Sequence, residues 1–184
     1  MEMNNDFLDL ISKARKGDRH AFACLYESIY KDLFRYAYFT LKNKQNAEDA
    51  VSEAVIDAYK SMAKLKNESS FKAWFFKILS VKCKNRLKEL YNLNALSEIV
   101  PENISYTNDL DDSLDLQKAM EKLTNEERMI ISLTVFGGYN SLEISKITKI
   151  NRNTVRTKYN RALEKLEKEL TSPVSQPAKP AATS

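Results

Sequence analysis

Near the C-terminus, six polar side chains have the types and spacing needed to recognise a nucleic acid. They are Arg152, Asn153, Arg156, Thr157, Asn160 and Arg161. Arginine and asparagine match the edges of guanine and adenine, and all six side chains can donate to phosphate oxygens. No acidic residue interrupts positions 151–161. Because the spacing follows the turns of a helix, these residues predict one cationic helix face that contacts DNA.

A helix-turn-helix is predicted to present this face. The first helix covers 141–148 and opens with a capping box of Asn140 and Glu143; the turn covers 149–151, and the second helix starts at Arg152 and ends near 167. Apolar residues spaced by three and four are expected to pack the two helices together. They are Leu142, Ile144 and Ile147 on the first helix and Val155, Tyr159, Ala162, Leu163 and Leu166 on the second. The alternative is a solvated basic face on an ordinary helical hairpin; the capped first helix and the acid-free face favour DNA binding.

A second basic segment lies upstream, between Lys72 and Lys88, and it also contains no acid. Aromatic side chains lie among its lysines, and proteins use this combination to hold unstacked bases while contacting the backbone. The alternative is that the rings belong to the core, which we favour for Phe75 and, by its spacing, mainly for Trp74. Six acids and no cation occupy 91–117, so an acidic connector separates the two basic segments.

Composition argues against several other classes of protein. The N-terminus has no secretory signal and no apolar run approaches the roughly 20 residues that span a bilayer, so we expect a cytoplasmic chain without membrane insertion. The two cysteines lie far apart and there is one histidine. With no metal cluster, phosphate-binding glycine loop or nucleophile–base group, we expect no metal, no cofactor and no enzymatic activity.

The predicted fold class is all-α, with two small helical domains joined by a flexible acidic linker. Neither glycine nor proline occurs from Asp18 to Val100, which permits long helices. We expect caps at Asp18, at an Asn46–Asp49 capping box, at Ser69 or Ser70, and at a Thr124–Glu127 capping box. The predicted boundaries are a first domain at 1–91, the linker at 92–112, the helix-turn-helix domain at 113–170 and a disordered tail at 171–184.

Four segments, in order, resemble bacterial RNA polymerase sigma factors, most closely the short, two-domain extracytoplasmic-function (ECF) group. The segments are 47–53, 71–78, 123–128 and 153–163, and the resemblance extends over about 14–170. It implies binding to core RNA polymerase and to promoter DNA, and it suggests an anti-sigma protein as a further partner. It also implies that the acidic linker runs through the polymerase, near the path of the nascent RNA.

The resemblance assigns roles to individual positions. The residues implied to contact core polymerase are Asp49, Ser52 and Glu53. Those implied to bind the minus-10 element, with a flipped base held at 67–70, are Asn67, Glu68, Ser69, Ser70, Lys72, Trp74, Lys77 and Lys84. Those implied to bind the minus-35 element are Arg152, Asn153, Arg156, Thr157, Asn160 and Arg161. The chain departs from the family at Ser52 (usually Gln), Val81 (commonly Asn) and Lys149 (usually Gly). Lys149 must adopt a positive φ or shift the turn.

Two other functions remain open at this point. One is a helix-turn-helix regulator whose N-terminal domain senses a ligand or dimerises; the aromatic and basic helix at 71–88 argues against it, because a sensor domain does not need one. The other is a sigma-like adaptor that occupies polymerase without initiating transcription, which Ser52 leaves open.

Overall fold

A computed structural model describes residues 5–96 and 114–171, all of the regular structure in these ranges being helical. The eight α-helices there are α1 (Asn5–Arg15), α2 (Arg19–Leu41), α3 (Lys44–Ser61), α4 (Phe71–Leu96), α5 (Leu114–Glu121), α6 (Asn125–Val135), α7 (Ser141–Thr148) and α8 (Arg152–Thr171). Two short 3₁₀ helices, Met62–Lys64 and Glu68–Ser70, connect α3 to α4. The all-α prediction is confirmed. Helix α4 takes in positions 92–96, which were expected to be linker; the rest of the linker and the tail beyond Thr171 lie outside the described residues.

The helix starts in the first domain are set by local side-chain caps. Asp18 accepts a hydrogen bond from the Ala21 amide at 3.0 Å, as predicted. The expected capping box at Asn46 is wrong: the cap is Asn43, whose side chain accepts from the Asn46 amide at 2.9 Å. An extended backbone at Asn43 lets its side-chain oxygen accept from the first turn of α3, so the cap lies three residues earlier than the apolar pattern indicated.

Helices α2, α3 and α4 enclose an aromatic core. Its fully buried members include Tyr36, Phe71, Phe75 and Phe76. Burial raises the pKa of the Tyr36 hydroxyl, which therefore keeps its proton. Helix α1, which the sequence analysis did not predict, packs on α2 through the buried Ile11.

The second domain, α5–α8, has both of the predicted capping boxes. Thr124 and Glu127 form one at the start of α6, and Asn140 and Glu143 form the other at the start of α7. Glu127 is buried, and its two carboxylate oxygens accept hydrogen bonds from the Lys165 ammonium on α8 at 2.7 Å and 3.0 Å. Burial alone raises the pKa of the Glu127 carboxyl, but the bonds from Lys165 and Thr124 outweigh it and hold that pKa below its usual range.

The two domains are in contact. Helix α6 packs on α2, and α7 packs on α4. Phe39 of α2 stacks on Phe136, just after α6, with ring centroids 5.9 Å apart and planes only 3° from parallel. Across 5–96 and 114–171, no helix combines the length and the apolar character needed to cross a bilayer.

Candidate nucleic-acid interface

The helix-turn-helix forms where the sequence predicted it. Asn151 accepts from the Asn153 amide at 2.9 Å and so caps the start of α8. Lys149 ends α7 in the left-handed region, with φ 64° and ψ 18°, and its amide donates to the Ser145 carbonyl at 2.9 Å. Of the two outcomes expected for Lys149, the chain therefore takes the positive φ and keeps the turn. This geometry is common for glycine and costs a side chain about 1–2 kcal/mol.

The six polar side chains of the predicted reading face all lie at the surface. Arg152, Asn153, Arg156, Thr157, Asn160 and Arg161 are each exposed. Within the described ranges, neither Arg156 nor Arg161 forms an ion pair. Lys158, in the same acid-free segment, differs: its Nζ lies 2.8 Å from Glu126 of α6. The cations of α8 are therefore divided between an open face and a face that packs on α6.

Two of the residues predicted to pack the helices of the helix-turn-helix together are exposed instead. Ile144, Val155, Ala162 and Leu166 are buried as expected, but Leu142 is 44% exposed and Leu163 is 43% exposed. Helix α7 contains only eight residues, so it covers a narrow strip of α8. Apolar positions at the edges of that strip therefore remain in contact with solvent.

The corner at 67–70 is held in place by its own hydrogen bonds. Asn67 caps the 3₁₀ helix, accepting from the amide and the hydroxyl of Ser69 at 3.0 Å and 2.8 Å. Ser70 donates to the Asn67 carbonyl at 2.6 Å, and Glu68 pairs with Arg15 of α1 at 3.2 Å. The expected cap at Ser69 or Ser70 is wrong, because Asn67 starts an extra helical turn before α4 begins at Phe71.

Half of the cations between Lys72 and Lys88 are paired with acids from other helices, although no acid lies within that segment. Lys72 lies 2.8 Å from Asp32 of α2 and 5.8 Å from the centre of the Phe76 ring. Lys82 and Arg86 turn towards α3. The exposed cations of the segment are Lys77, Lys84 and Lys88. Trp74 is half-buried against Phe71 and Phe75, so it is partly core and partly surface.

The acidic face of α3 lies beside those paired cations. Ser52 and Glu53 are exposed and Asp49 is half-exposed. Arg86 bridges Asp49 at 3.7 Å and Glu53 at 3.6 Å, and Lys82 contacts Glu53 at 3.4 Å. The Lys82 pair with Asp57 raises the pKa of the lysine. The three residues implied to bind polymerase thus share one helix face with a fixed set of counter-ions.

The second domain touches α4 through residues that no sequence pattern singled out. Tyr139 is 6% exposed, and its hydroxyl donates to the backbone carbonyl of Ala73. The Lys84 ammonium donates to the Thr148 carbonyl at 3.3 Å. A tyrosine beside two glycines carries no signal in the sequence for a contact with a distant helix. These contacts bring α7 next to the minus-10 candidates Ser70, Trp74 and Lys77.

The described ranges contain no group of three or more His, Cys, Asp or Glu side chains arranged to hold a metal ion. Cys83 is fully buried, and burial raises the pKa of its thiol, as expected for a structural cysteine. Cys24 is half-buried, with its sulfur 3.8 Å from Nε2 of His20.

Comparisons with known proteins match both domains. Residues 25–91 match the family model for Sigma-70 region 2, and residues 113–166 match the model for Sigma-70, region 4. The chain is 31% identical over 142 residues to RNA polymerase sigma factor SigV of Bacillus subtilis, covering 77% of this chain and 86% of that protein. It is 27% identical over 179 residues to the ECF RNA polymerase sigma factor SigW of the same organism, covering 87% and 94%.

Solved structures share the fold. The sigma factor RpoE of Bartonella quintana, in complex with the anti-sigma factor NepR, superposes with a TM-score of 0.70 at 21% identity, covering 82% of this chain and 97% of that chain. CnrH, in complex with the cytosolic domain of CnrY, gives a TM-score of 0.61 at 20% identity, covering 90% and 97%. The matched regions, in the order region 2 then region 4, identify the chain as a member of the sigma-70 family of RNA polymerase sigma factors, in its ECF group.

Proposed function

We propose that this sigma factor binds core RNA polymerase and directs it to promoters by contacting a minus-35 and a minus-10 element. The observation that carries the proposal is the leading face of α8, whose six polar side chains are all exposed on a capped helix-turn-helix. In a hairpin that only faces solvent, a set of unpaired cations on one face adds little to stability. A polyanion gains directly from it.

Helix α8 is proposed to read the minus-35 element in the major groove. Arg156, Asn160 and Arg161 are the base-contacting candidates, because they are exposed, and arginine and asparagine discriminate bases through paired hydrogen bonds. Arg152, Asn153 and Thr157 lie nearer the start of the helix or bond locally; Thr157 donates to the Asn153 carbonyl at 3.0 Å. We assign these three to phosphate contacts and to positioning the helix.

The 67–70 corner and α4 are proposed to hold the minus-10 element. A flipped base needs a preformed receptor, since unstacking costs a few kcal/mol. We propose that the corner, held in place by the hydrogen bonds that Asn67 accepts from Ser69 and Ser70, is this receptor. Lys77 and Lys84 are exposed for phosphate contacts, and Trp74 is half-buried, so part of its side chain is accessible. Lys72 is proposed to act while paired to Asp32, so its contribution to phosphate binding is the smallest of the three lysines.

Asp49, Ser52 and Glu53 are proposed to dock on core polymerase, with the chain working in the cytoplasm and the acidic linker near the nascent RNA. Arg86 pairs with Asp49 and Glu53, Lys82 also pairs with Glu53, and Ser52 is exposed. We further propose an anti-sigma partner that covers these faces, because the similar sigma factor RpoE of Bartonella quintana is bound to the anti-sigma factor NepR.

The minus-35 assignment is tested with Arg156→Ala, in holoenzyme bound to a promoter selected from a genomic fragment pool. We expect a loss of about 1–3 kcal/mol in binding, confined to one base position in a scan of single substitutions. The matched control is Lys158→Ala, which removes a cation paired to Glu126 on the packed side of α8 and leaves the base preference unchanged. A loss with Arg156→Ala that is uniform across all sequences contradicts base reading and indicates phosphate contact only.

The docking assignment is tested with Glu53→Lys in a titration of core polymerase. We expect weaker binding, because the exposed carboxylate is replaced by a cation. Glu27→Lys, an identical charge change at an exposed position of α2, is the control and is expected to bind as the unchanged chain does. Equal affinity for the two variants contradicts docking through α3.

A further inference from the structure

Helix α1 packs against the corner at 67–70, although it lies before the segment that matches Sigma-70 region 2. Ile11 and Ala14 anchor α1 in the core, since both are buried. The Phe7 ring meets the Phe71 ring edge-on, with centroids 6.0 Å apart, where α4 begins. Helix α1 is therefore fixed beside the surface proposed for the minus-10 element.

Arg15, the last residue of α1, joins that helix to the corner by an ion pair. Its Nη1 donates to Oε1 of Glu68 at 3.2 Å, and the two side chains are 37% and 32% exposed. Within 5–96 and 114–171, Glu68 is the only hydrogen-bonding partner of the guanidinium, whose buried Nε has none. Solvent screens a pair that is this exposed, so the bond adds little to stability. Its larger effect is to restrict the Glu68 carboxylate to one position.

Glu68 is the only acid at 67–70, and one of its two oxygens is available to a ligand. Arg15 occupies Oε1, whereas Oε2 accepts no hydrogen bond from the described residues. A carboxylate without a counter-ion in this corner would repel the phosphates of the strand that the corner is proposed to hold. Beside a guanidinium, the same carboxylate can approach DNA and accept from the amino group of a base.

A flipped base presents its Watson–Crick edge to the receptor that holds it. Adenine, cytosine and guanine each carry an exocyclic amino group at this edge, whereas thymine has no amino group and carries carbonyl oxygens there. A carboxylate oxygen accepts from an amino group and is repelled by a carbonyl oxygen. The free Oε2 of Glu68 therefore suits a base with an amino group better than it suits thymine.

From this geometry, we propose that Arg15 is a positioning residue for the minus-10 receptor: it holds Oε1 of Glu68, so that Oε2 accepts from the exocyclic amino group of the flipped base. The proposal rests on the minus-10 role proposed above for 67–70. Helix α1 then contributes to promoter recognition through the corner that it supports. Loss of Arg15 frees the carboxylate to rotate, so that discrimination between bases falls while the fold is retained.

The test measures binding of holoenzyme to fluorescent single-stranded oligonucleotides that carry the minus-10 element of a promoter selected from the genomic pool. Each position of the element is changed to all four bases. With the unchanged chain, we expect a position at which thymine binds most weakly. Arg15→Ala should reduce the discrimination at that position about two- to fivefold, as expected for a partly exposed ion pair, and leave the other positions unchanged. Arg15→Lys, which keeps the charge, should restore part of the discrimination.

Lys13→Ala is the matched control, because it removes an ion pair of α1 that does not reach the corner. The Lys13 ammonium lies 2.6 Å from Asp9, one turn earlier on the same helix. This variant is expected to keep the base preference of the unchanged chain. Glu68→Gln should lose the same preference as Arg15→Ala. The double variant should lose no more than Glu68→Gln alone, since Arg15 acts through Glu68.

Three results overturn the proposal. One is a loss with Arg15→Ala that is equal at every position, because it shows that the ion pair only supports the fold. The second is full additivity of Arg15→Ala and Glu68→Gln, and the third is the absence of any position that disfavours thymine. Chain-dependent start sites on the same promoter test the sigma function by itself. Start sites without an effect of Arg15 on base preference refute this inference alone, whereas absent start sites refute the proposed function.

Discussion

Replacing Lys149 with glycine is expected to stabilise the protein. Lys149 has φ 64° and lies between the two helices of the helix-turn-helix, and its side chain is exposed. An L-residue in this conformation costs about 1–2 kcal/mol, which glycine avoids. Glycine also gives the unfolded chain more freedom, which costs about 0.5–1 kcal/mol. The difference leaves a net gain of about 0.5–1 kcal/mol.

Urea denaturation followed by circular dichroism measures this gain as a higher midpoint with an unchanged slope. The matched control is Lys149→Ala, which removes the same side chain but retains Cβ and therefore the strain. We expect the alanine variant to gain nothing. The amide bond to Ser145 is retained in both variants, so DNA affinity should also be unchanged. If Lys149→Gly is less stable than Lys149→Ala, the strain at the positive φ is smaller than the entropy that glycine adds to the unfolded chain, and the argument from backbone strain is refuted.

Three further predictions concern the stability of the individual domains: an ion pair, a helix cap and a buried ring. Glu127→Gln should cost about 1–3 kcal/mol at neutral pH, because Lys165 loses its charged partner. The pKa of Glu127 is lowered in the folded state, so its contribution to the free energy of unfolding is complete above the unfolded pKa of about 4.3 and is lost as the pH falls through the folded pKa. A difference in free energy of unfolding between Glu127→Gln and the unchanged chain that does not shrink below about pH 4 would contradict this. Asn140→Ala removes the cap of α7, whose side chain accepts from the amides of Leu142 and Glu143. It should lower the free energy of unfolding, measured in urea, by about 1 kcal/mol. No loss would show that the capping box does not stabilise the domain. Phe75→Ala opens a cavity at a fully buried ring and should cost about 3–5 kcal/mol by thermal or urea unfolding, whereas a cost below 1 kcal/mol would mean that the aromatic core repacks.

The helix-turn-helix was predictable from sequence because its determinants are local. Capping boxes at Thr124 and Asn140 lie within four residues of the helices that they start, and the stripe from Val155 to Leu166 follows one helical period. Even the strain at Lys149 was foreseeable, since the turn requires a left-handed residue there. Local rules failed at Asn46, where two asparagines three residues apart competed and Asn43 formed the cap.

The charge pattern was less predictable, because ion pairs form between helices that are distant in sequence. The segment from Lys72 to Lys88 contains no acid, yet Asp32, Glu53 and Asp57 approach it from α2 and α3. A count along the chain therefore overstated the basic surface of α4. The contact of Tyr139 with Ala73 was inaccessible for the same reason: the two residues are 66 positions apart, and no periodicity links them.

Run-off transcription with purified core polymerase on a pool of genomic fragments tests the central claim most directly. The proposed sigma function predicts discrete start sites that depend on the added chain and share two upstream elements. Tight binding to core polymerase without any chain-dependent start site would contradict that function and indicate a non-initiating adaptor. Binding to a symmetric DNA site in the absence of polymerase, again without chain-dependent starts, would contradict it equally and indicate a conventional regulator.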